Sequence, residues 1–381
     1  MKQMKNKQSL IFAMLFIALS SCSSSPSEGT SISEEDYIKN VVEDDIAFNI
    51  LQLTDIHWNM TTRFEEAAKY LKSVINTAKK KAEDRGERLN LIAITGDSLL
   101  VATKPMADLL YSTIDSFDIP FFVTYGNHDR QGLWNEEWMN ENVSSPKRKN
   151  SLFTVVKDDV HGVSNYVINW KKNNKTVWQI YSVDTGHYIK KNAFQYTYDY
   201  IRDSQIEWFK KQTDFAKESS TYLPSLVFSH IPVREMINAA NDEATILERE
   251  EKEKTTSPIG SGSTNYVGGY IQEKNDLIGA SPVSSNFFSV AEERNVKGMF
   301  YGHDHSSDAV FTYGDNKVVL GYGVKANTEL YYTSIDSEIK TTLSGGALYT
   351  LHSDTKTFDI EHFYMDYPKE EISFSWKKEA L

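Results

Sequence analysis

The sequence predicts an α/β fold in which helices flank layered sheets, and three observations lead to that prediction. Apolar runs typical of strands alternate with segments of helical periodicity. Polar clusters follow the strands directly, at the edge where open α/β sheets bind ligands. Hydrophobic residues make up 40% and aromatic residues 12% of the 381 positions, which is ordinary for globular proteins. We expect one catalytic domain over residues 46–381.

Residues 1–21 are predicted to be a signal peptide. Lys2, Lys5 and Lys7 precede the apolar run 10–19, which is shorter than the about 20 residues that span a bilayer. Two serines and Cys22 follow, and this pattern resembles the lipobox of bacterial lipoproteins. The resemblance implies lipidation of Cys22, so Cys22→Ala should block acylation and maturation. The alternative is a plain signal peptide with an incidental cysteine.

Residues 22–45 are rich in Ser, Glu and Asp, and this composition predicts a flexible tether. Removal of the signal peptide would take three lysines and change the formal net charge from −12 to −15. Such a surface repels polyanions, so a nucleic acid polymer is not an expected partner. The lipobox resemblance implies export and attachment to a bacterial membrane, most simply the outer one, facing the periplasm or the cell surface.

The folded part begins with a predicted strand and helix. Residues 48–54 are apolar at alternate positions and form a predicted buried strand. In the next segment, apolar residues from Phe64 to Ala78 share one helical face, and Gly86 provides a helix stop. A strand followed by a helix is the usual beginning of a layered α/β fold.

Further predicted elements continue the alternation of strands and helices. A helix is predicted over residues 105–117, with a proline in its first turn. Further strands are predicted at 89–95, 120–124, 177–183, 226–229 and 296–301. Short apolar runs at 318–320, 347–351 and 358–363 are interpreted as antiparallel strands that close a second sheet.

Two polar stretches, residues 134–150 and 239–281, interrupt the pattern. Loops of this length are commonly lids or disordered insertions. The second stretch lies between His230 and His303, two residues that are predicted below to belong to the site. Shortening it should therefore change substrate preference while metal binding survives. The alternative is an insertion that points into solvent.

Polar clusters lie just past the strand ends. They are Asp55-Ile56-His57, Gly96-Asp97, Gly126-Asn127-His128-Asp129, Asp184-Thr185-Gly186, His230, and Gly302-His303-Asp304-His305. Because the carboxyl ends of neighbouring parallel strands meet at one edge of a sheet, we expect these clusters to converge. Carboxylates and imidazoles together suit Mn, Fe or Zn, and one carboxylate can bridge two ions.

Apart from Asp184-Thr185-Gly186, this ordered set resembles the motifs of calcineurin-like metallophosphoesterases over nearly the whole predicted mature chain. The resemblance implies a four-layer αββα sandwich of two mixed β-sheets flanked by helices, with two metal ions whose identity stays open. Carried over by residue, one ion has the ligands Asp55, His57, Asp97 and His305, and the other has Asp97, Asn127, His230 and His303. Asp97 is then the bridging ligand.

Other site residues follow from the same resemblance. His128 matches the family's catalytic histidine, which faces the substrate and stabilises or protonates its oxygens. Asp129 is interpreted either as the group that orients His128 or as an outer partner of a metal ligand. His187, after the strand that ends near Asp184, is a possible substrate contact.

A closer resemblance is to purple-acid-phosphatase-related enzymes, of the type called family 29 in plants and Dcr2-like in fungi. The matching runs are residues 51–55, 183–186, 204–209, 228–232 and 285–288. Purple acid phosphatases place an iron-binding tyrosine three residues after the bridging aspartate, where this sequence has Leu100. Iron–phenolate colour is therefore not expected.

The resemblance implies a metal-dependent enzyme that hydrolyses small phosphate monoesters through attack by a metal-bridging hydroxide. A phosphodiesterase or nucleotidase that uses the same site is the enzymatic alternative. A surface lipoprotein that keeps the fold but only binds a ligand is the non-catalytic one. Every expected ligand position is filled, which favours an enzyme.

Overall fold

The computed structural model describes the chain from residue 38 onward, with gaps. The described residues are 38–144, 147–155, 159–192, 195–240, 265–269, 278–305, 307–327, 333–336, 339–341, 343–365 and 374–377. The predicted signal peptide, Cys22, the first part of the tether and most of the stretch 239–281 lie outside them. Within these ranges, no helix has the length and apolar character needed to cross a membrane.

The described part of the chain folds into two large mixed sheets and two small hairpins. The strands are β1 (Ile38–Val42), β2 (Ala47–Leu53), β3 (Leu89–Thr95), β4 (Phe121–Thr124), β5 (Tyr166–Lys172), β6 (Lys175–Ser182), β7 (Tyr188–Lys190), β8 (Tyr196–Tyr198), β9 (Ser225–Phe228), β10 (Tyr266–Gly268), β11 (Val296–Tyr301), β12 (Val310–Tyr313), β13 (Val318–Tyr322), β14 (Thr333–Asp336), β15 (Ile339–Thr341), β16 (Gly345–His352), β17 (Phe358–Tyr364) and β18 (Phe374–Lys377).

The helices are α1 (Phe64–Glu83), α2 (Lys104–Asp115), α3 (Glu136–Val143), α4 (Asp203–Phe215), α5 (Glu235–Ala240) and α6 (Phe287–Glu293). The six-stranded sheet has the order β18-β17-β16-β2-β3-β4, and the eight-stranded sheet has the order β1-β5-β6-β9-β11-β13-β12-β10. Strands β7 and β8 form one separate hairpin, and β14 and β15 form the other.

The two sheets pack face to face through alternating side chains. In β9 and β11, Phe228 and Phe300 point to the core between the sheets, whereas Val227 and Met299 face a second core against helices α4, α5 and α6. Tyr349 of the six-stranded sheet meets Phe300 across the interface, with ring centroids 4.2 Å apart. Helices α1 and α2 cover the outer face of the six-stranded sheet. The predicted four-layer αββα sandwich is therefore confirmed.

The predicted strands at the site-bearing edge are confirmed, and the strand pairing explains why their ends converge. Strands β2, β3 and β4 are parallel neighbours in one sheet. Strands β6, β9 and β11 are parallel neighbours in the other. Parallel strands end at the same edge, so the polar clusters that follow them meet there.

Three expectations about the fold need correction. Residues 38–42, placed in the tether, form β1, which pairs in parallel with β5. The polar stretch 134–150 contains helix α3, whose cap residue Asn135 accepts a hydrogen bond from Trp138 N. The C-terminal strands do not form one antiparallel sheet, because β13 pairs in parallel with β11 while β16 pairs with β2 in the other sheet.

Candidate metal centre

The predicted ligand residues meet at the edge shared by the two sheets. Asp55, His57, Asp97 and His305 form one group whose potential ligand atoms all lie within 4.8 Å of one another. Asp97, His230 and His303 form a second group by the same measure. Asp97 belongs to both groups, so the structure provides a site that could hold metal ions around one shared carboxylate.

The Asp97 carboxylate is the geometric centre of this cluster. Its Oδ2 lies 3.1 Å from His230 Nε2 and 3.4 Å from His57 Nε2. Its Oδ1 accepts a hydrogen bond from the backbone N–H of His128 at 2.8 Å. The Asp55 carboxylate occupies the neighbouring position, with its Oδ1 3.3 Å from His305 Nε2. The Asp97 carboxylate thus has one oxygen, Oδ2, that is available to ions on either side.

Several buried polar atoms at this point have no hydrogen-bond partner in the described part of the chain. They are both ring nitrogens of His57, Asp97 Oδ2, Asn127 Oδ1 and His230 Nε2. An unsatisfied buried polar atom costs about 1–3 kcal/mol, so a group of them around one carboxylate is expensive unless something binds there. Nitrogen and oxygen donors in this arrangement fit a transition-metal ion.

Electrostatics favour positive charge in the cluster. Burial alone would lower the pKa of His57, but the neighbouring Asp55 and Asp97 carboxylates raise it to about 9. The same balance, with Asp97 as the main partner, raises the pKa of His230 to about 10. Burial and repulsion from His230 instead lower the pKa of His303 to about 3. The carboxylates therefore make this buried pocket attractive to cations.

Unusual backbone conformations bring the ligands into place. Asp55, His57 and Asp97 have φ values of 51°, 49° and 50°, a region that non-glycine residues adopt at an energetic cost. Hydrogen bonds between the two loops hold this geometry, from Asp55 N to Gly96 O and from His57 N to Asp97 O. A Cβ at Gly96 would collide with the His230 ring, so the close approach of the backbone to His230 requires glycine there.

Asp129 does not orient His128, and that interpretation is wrong. Its buried carboxylate instead accepts hydrogen bonds from the backbone N–H groups of Asp97, Ser98 and Gly126 at 2.8–2.9 Å. The partner of His128 is Gln131, whose Oε1 lies 2.7 Å from His128 Nδ1. Asp129 thus fixes the loop that carries Asp97, in agreement with the second interpretation.

His128 lies beside the cluster without entering either ligand group. About a quarter of its side chain is exposed, and its Nε2 is 3.9 Å from Asp97 Oδ2. The ring of His57 is its neighbour, with centroids 5.3 Å apart. An accessible imidazole next to a buried metal pocket has the position expected of a group that meets the substrate.

His187 stays a prediction as a substrate contact, because its exposed side chain makes no hydrogen bond or ring contact with the cluster among the described residues. Its neighbour Tyr188 does reach the site, since the Tyr188 hydroxyl accepts a hydrogen bond from Asn127 Nδ2 at 3.0 Å. Tyr198, opposite Tyr188 in the β7–β8 hairpin, packs edge-on against His303 with centroids 4.3 Å apart. Sequence reasoning missed both tyrosines, because the hairpin has no motif of its own.

With this geometry established, comparison with known proteins identifies the family. The family model for calcineurin-like phosphoesterases matches residues 48–307. The chain belongs to this family. The matched range contains every residue of the candidate metal centre.

Two plant proteins are similar over much of this calcineurin-like phosphoesterase. "Probable inactive purple acid phosphatase 14" of Arabidopsis thaliana is 25% identical over 361 residues, covering 84% of this chain and 82% of the relative. "Probable inactive purple acid phosphatase 29" of the same plant is 26% identical over 299 residues, covering 68% and 67%. The predicted relationship to purple acid phosphatase-related proteins is therefore confirmed.

One solved structure that aligns with this chain is described as GAP50, the anchor in the inner membrane complex of Plasmodium. The alignment covers 87% of this chain and 89% of GAP50, with 13% sequence identity and a TM-score of 0.46.

Proposed function

We propose that this protein is a binuclear metallophosphoesterase that hydrolyses small phosphate monoesters. The observation that carries the proposal is the shared Asp97 carboxylate, with unsatisfied ligand atoms on both sides and the accessible imidazole of His128 beside it. Asp55, His57, Asp97 and His305 would hold one ion. The ligands of the other would be Asp97, Asn127, His230 and His303. Manganese, iron and zinc all suit these donors.

Bound ions would neutralise charge on the phosphoryl oxygens and supply a nucleophilic water at neutral pH. Gln131 would orient His128, and His128 would protonate the substrate. Gln131 accepts from His128 Nδ1 when that nitrogen is protonated, which leaves Nε2 to face the substrate. Protonated at Nε2, His128 would give its proton to the ester oxygen as water adds to phosphorus and the P–O bond to the alcohol breaks, and the proton that the water loses would return to His128 through solvent. Inorganic phosphate and the alcohol are the products.

The test combines metal analysis of the purified protein with hydrolysis of a panel of monoesters, diesters and nucleotides. We expect two metal equivalents and turnover that favours the monoesters and stops after chelation. His128→Ala should lower kcat by about 10²–10⁴-fold, a usual range for a general acid, while both metals remain. His352→Ala is the matched control, because His352 pairs with Asp359 outside the cluster.

Each alternative has its own outcome. Faster turnover of diesters or nucleotides than of monoesters would favour a phosphodiesterase or nucleotidase. Two bound ions without turnover on any ester would favour a non-catalytic binding protein, a possibility that the names of the two plant relatives raise. Loss of one metal equivalent in His128→Ala would place His128 among the ligands.

A further inference from the structure

The β7–β8 hairpin places a phenol at the rim of the candidate metal centre. Tyr188 is paired with Tyr198 across the hairpin, and the two rings lie 5.7 Å apart. The Ser281 hydroxyl donates a hydrogen bond to Tyr198 O at 2.8 Å, which ties β8 to a segment outside the hairpin. The edge-on contact between Tyr198 and His303 fixes the hairpin against the ligand cluster. Tyr188 is therefore held in position by its surroundings.

The hydrogen bond between Tyr188 and Asn127 has a defined direction. Asn127 Nδ2 donates to the phenol oxygen at 3.0 Å, while Asn127 Oδ1 is buried without a hydrogen-bond partner in the described ranges. Because the amide has one donor end and one acceptor end, this bond turns Oδ1 away from Tyr188 and leaves it available as a ligand. Tyr188 thus selects the orientation that metal binding needs.

The Tyr188 hydroxyl can still donate a hydrogen bond in this arrangement. A phenol oxygen that accepts one hydrogen bond can still donate its own O–H. No described group accepts that proton, and the side chain is only partly buried. Its partner Asn127 belongs to the predicted ligand set, so the partly exposed hydroxyl lies at the rim of the candidate metal centre.

We propose that Tyr188 is a further substrate-binding residue, whose hydroxyl positions the Asn127 amide and donates a hydrogen bond to a phosphoryl oxygen. The proposal rests on the proposed function for its substrate class. It adds a residue that no sequence motif indicates and that lies next to His187, the position the sequence had favoured. A donor to a charged oxygen stabilises more than a neutral hydrogen bond does.

The test compares Tyr188→Phe with Tyr196→Phe. Each variant removes one hydroxyl from the same hairpin, but the Tyr196 side chain is 68% exposed. Binding of inorganic phosphate to the manganese-loaded proteins is measured by calorimetry, and KM and kcat are measured on a small phosphomonoester. Manganese binding to the metal-free proteins is measured separately.

We expect Tyr188→Phe to weaken phosphate binding about tenfold or more, as loss of a hydrogen bond to a charged group does. KM should rise in parallel, and manganese should still bind with a few-fold lower affinity at one site. Tyr196→Phe should match the wild-type protein. Equal phosphate affinity in Tyr188→Phe and Tyr196→Phe would overturn the proposal.

The two proposals fail in distinguishable ways. If the wild-type protein hydrolyses no ester but Tyr188→Phe still weakens phosphate binding, the enzymatic proposal fails and the role of Tyr188 stands. If the wild-type protein turns over monoesters and Tyr188→Phe changes neither KM nor phosphate affinity, only the role of Tyr188 fails. A wild-type protein that binds manganese but neither binds phosphate nor hydrolyses any ester overturns both.

Discussion

The two sheets contribute different chemistry to the candidate metal centre. The six-stranded sheet supplies the oxygen ligands, which follow β2, β3 and β4, together with one imidazole. The eight-stranded sheet supplies only imidazoles, which follow β9 and β11. These contributions are Asp55, His57, Asp97 and Asn127 from the first sheet, and His230, His303 and His305 from the second. The negative charge of the site therefore comes from one sheet alone.

The two sides also differ in how the ligands are held. On the oxygen side, three ligands have positive φ, against one, His303, on the imidazole side, and the network around Asp129 holds the loop that carries Asp97. On the imidazole side, His230 is held through its side chain, because Nδ1 hydrogen-bonds to Thr95 O at 2.8 Å. Backbone strain persists only where surrounding contacts over-determine it. The oxygen side is thus a rigid frame onto which the imidazole side is docked.

The largest effect is expected from Asp97→Asn, which removes the charge that both sides share. The amide is nearly the same size, so the fold should survive, but it cannot bridge two cations as a carboxylate does. We expect loss of both metal equivalents and a fall in turnover of more than about a hundredfold, beyond the usual effect of an outer partner. Elemental analysis and kinetics measure this. Retention of both metals with near-normal turnover would contradict the bridging role.

Asp129→Asn tests the frame on the oxygen side. An amide offers one acceptor oxygen where the carboxylate satisfies N–H groups with two, so at least one N–H loses its partner. We expect a loss of about 1–3 kcal/mol in the free energy of unfolding and a 10–100-fold loss of metal affinity. Asp118→Asn is the control, because the Asp118 carboxylate is exposed and pairs with the exposed Lys149. Unchanged metal affinity in Asp129→Asn would show that the hydrogen bonds of Asp129 do not position the metal ligands.

The sequence predicted the oxygen side more completely than its surroundings, for a physical reason. Each ligand follows a strand end within two to four residues, so its position depends mainly on local pattern. Tyr188 reaches the site only through the pairing of β7 with β8, and β1 exists only through pairing with β5, more than a hundred residues later. Asp129 and His128 are adjacent in sequence, and only side-chain packing decides that they do not meet. Non-local pairing and rotamer choice leave no periodic signal.

Gly279→Ala tests the imidazole side and should have the smallest effect. Gly279 N donates to Asp304 Oδ2 at 3.0 Å. A Cβ at this position would lie 2.6 Å from His303 Cδ2 and 2.7 Å from its Nε2, closer than non-bonded atoms approach. The added methyl group must therefore displace the His303 ring or the segment that carries Gly279. His303 also contacts Asp55, but through its backbone N–H at 3.1 Å and not through the displaced ring.

We expect Gly279→Ala to weaken one of two metal equivalents about tenfold, as a displaced outer contact does, and to leave the other unchanged in a two-site titration. Ala280→Ser adds an atom at the next residue and should bind both ions as the wild-type protein does. A different result would be informative about the two sheets. If Gly279→Ala releases both ions as readily as Asp97→Asn, the imidazole side also holds the oxygen side in place, and the rigid-frame interpretation fails.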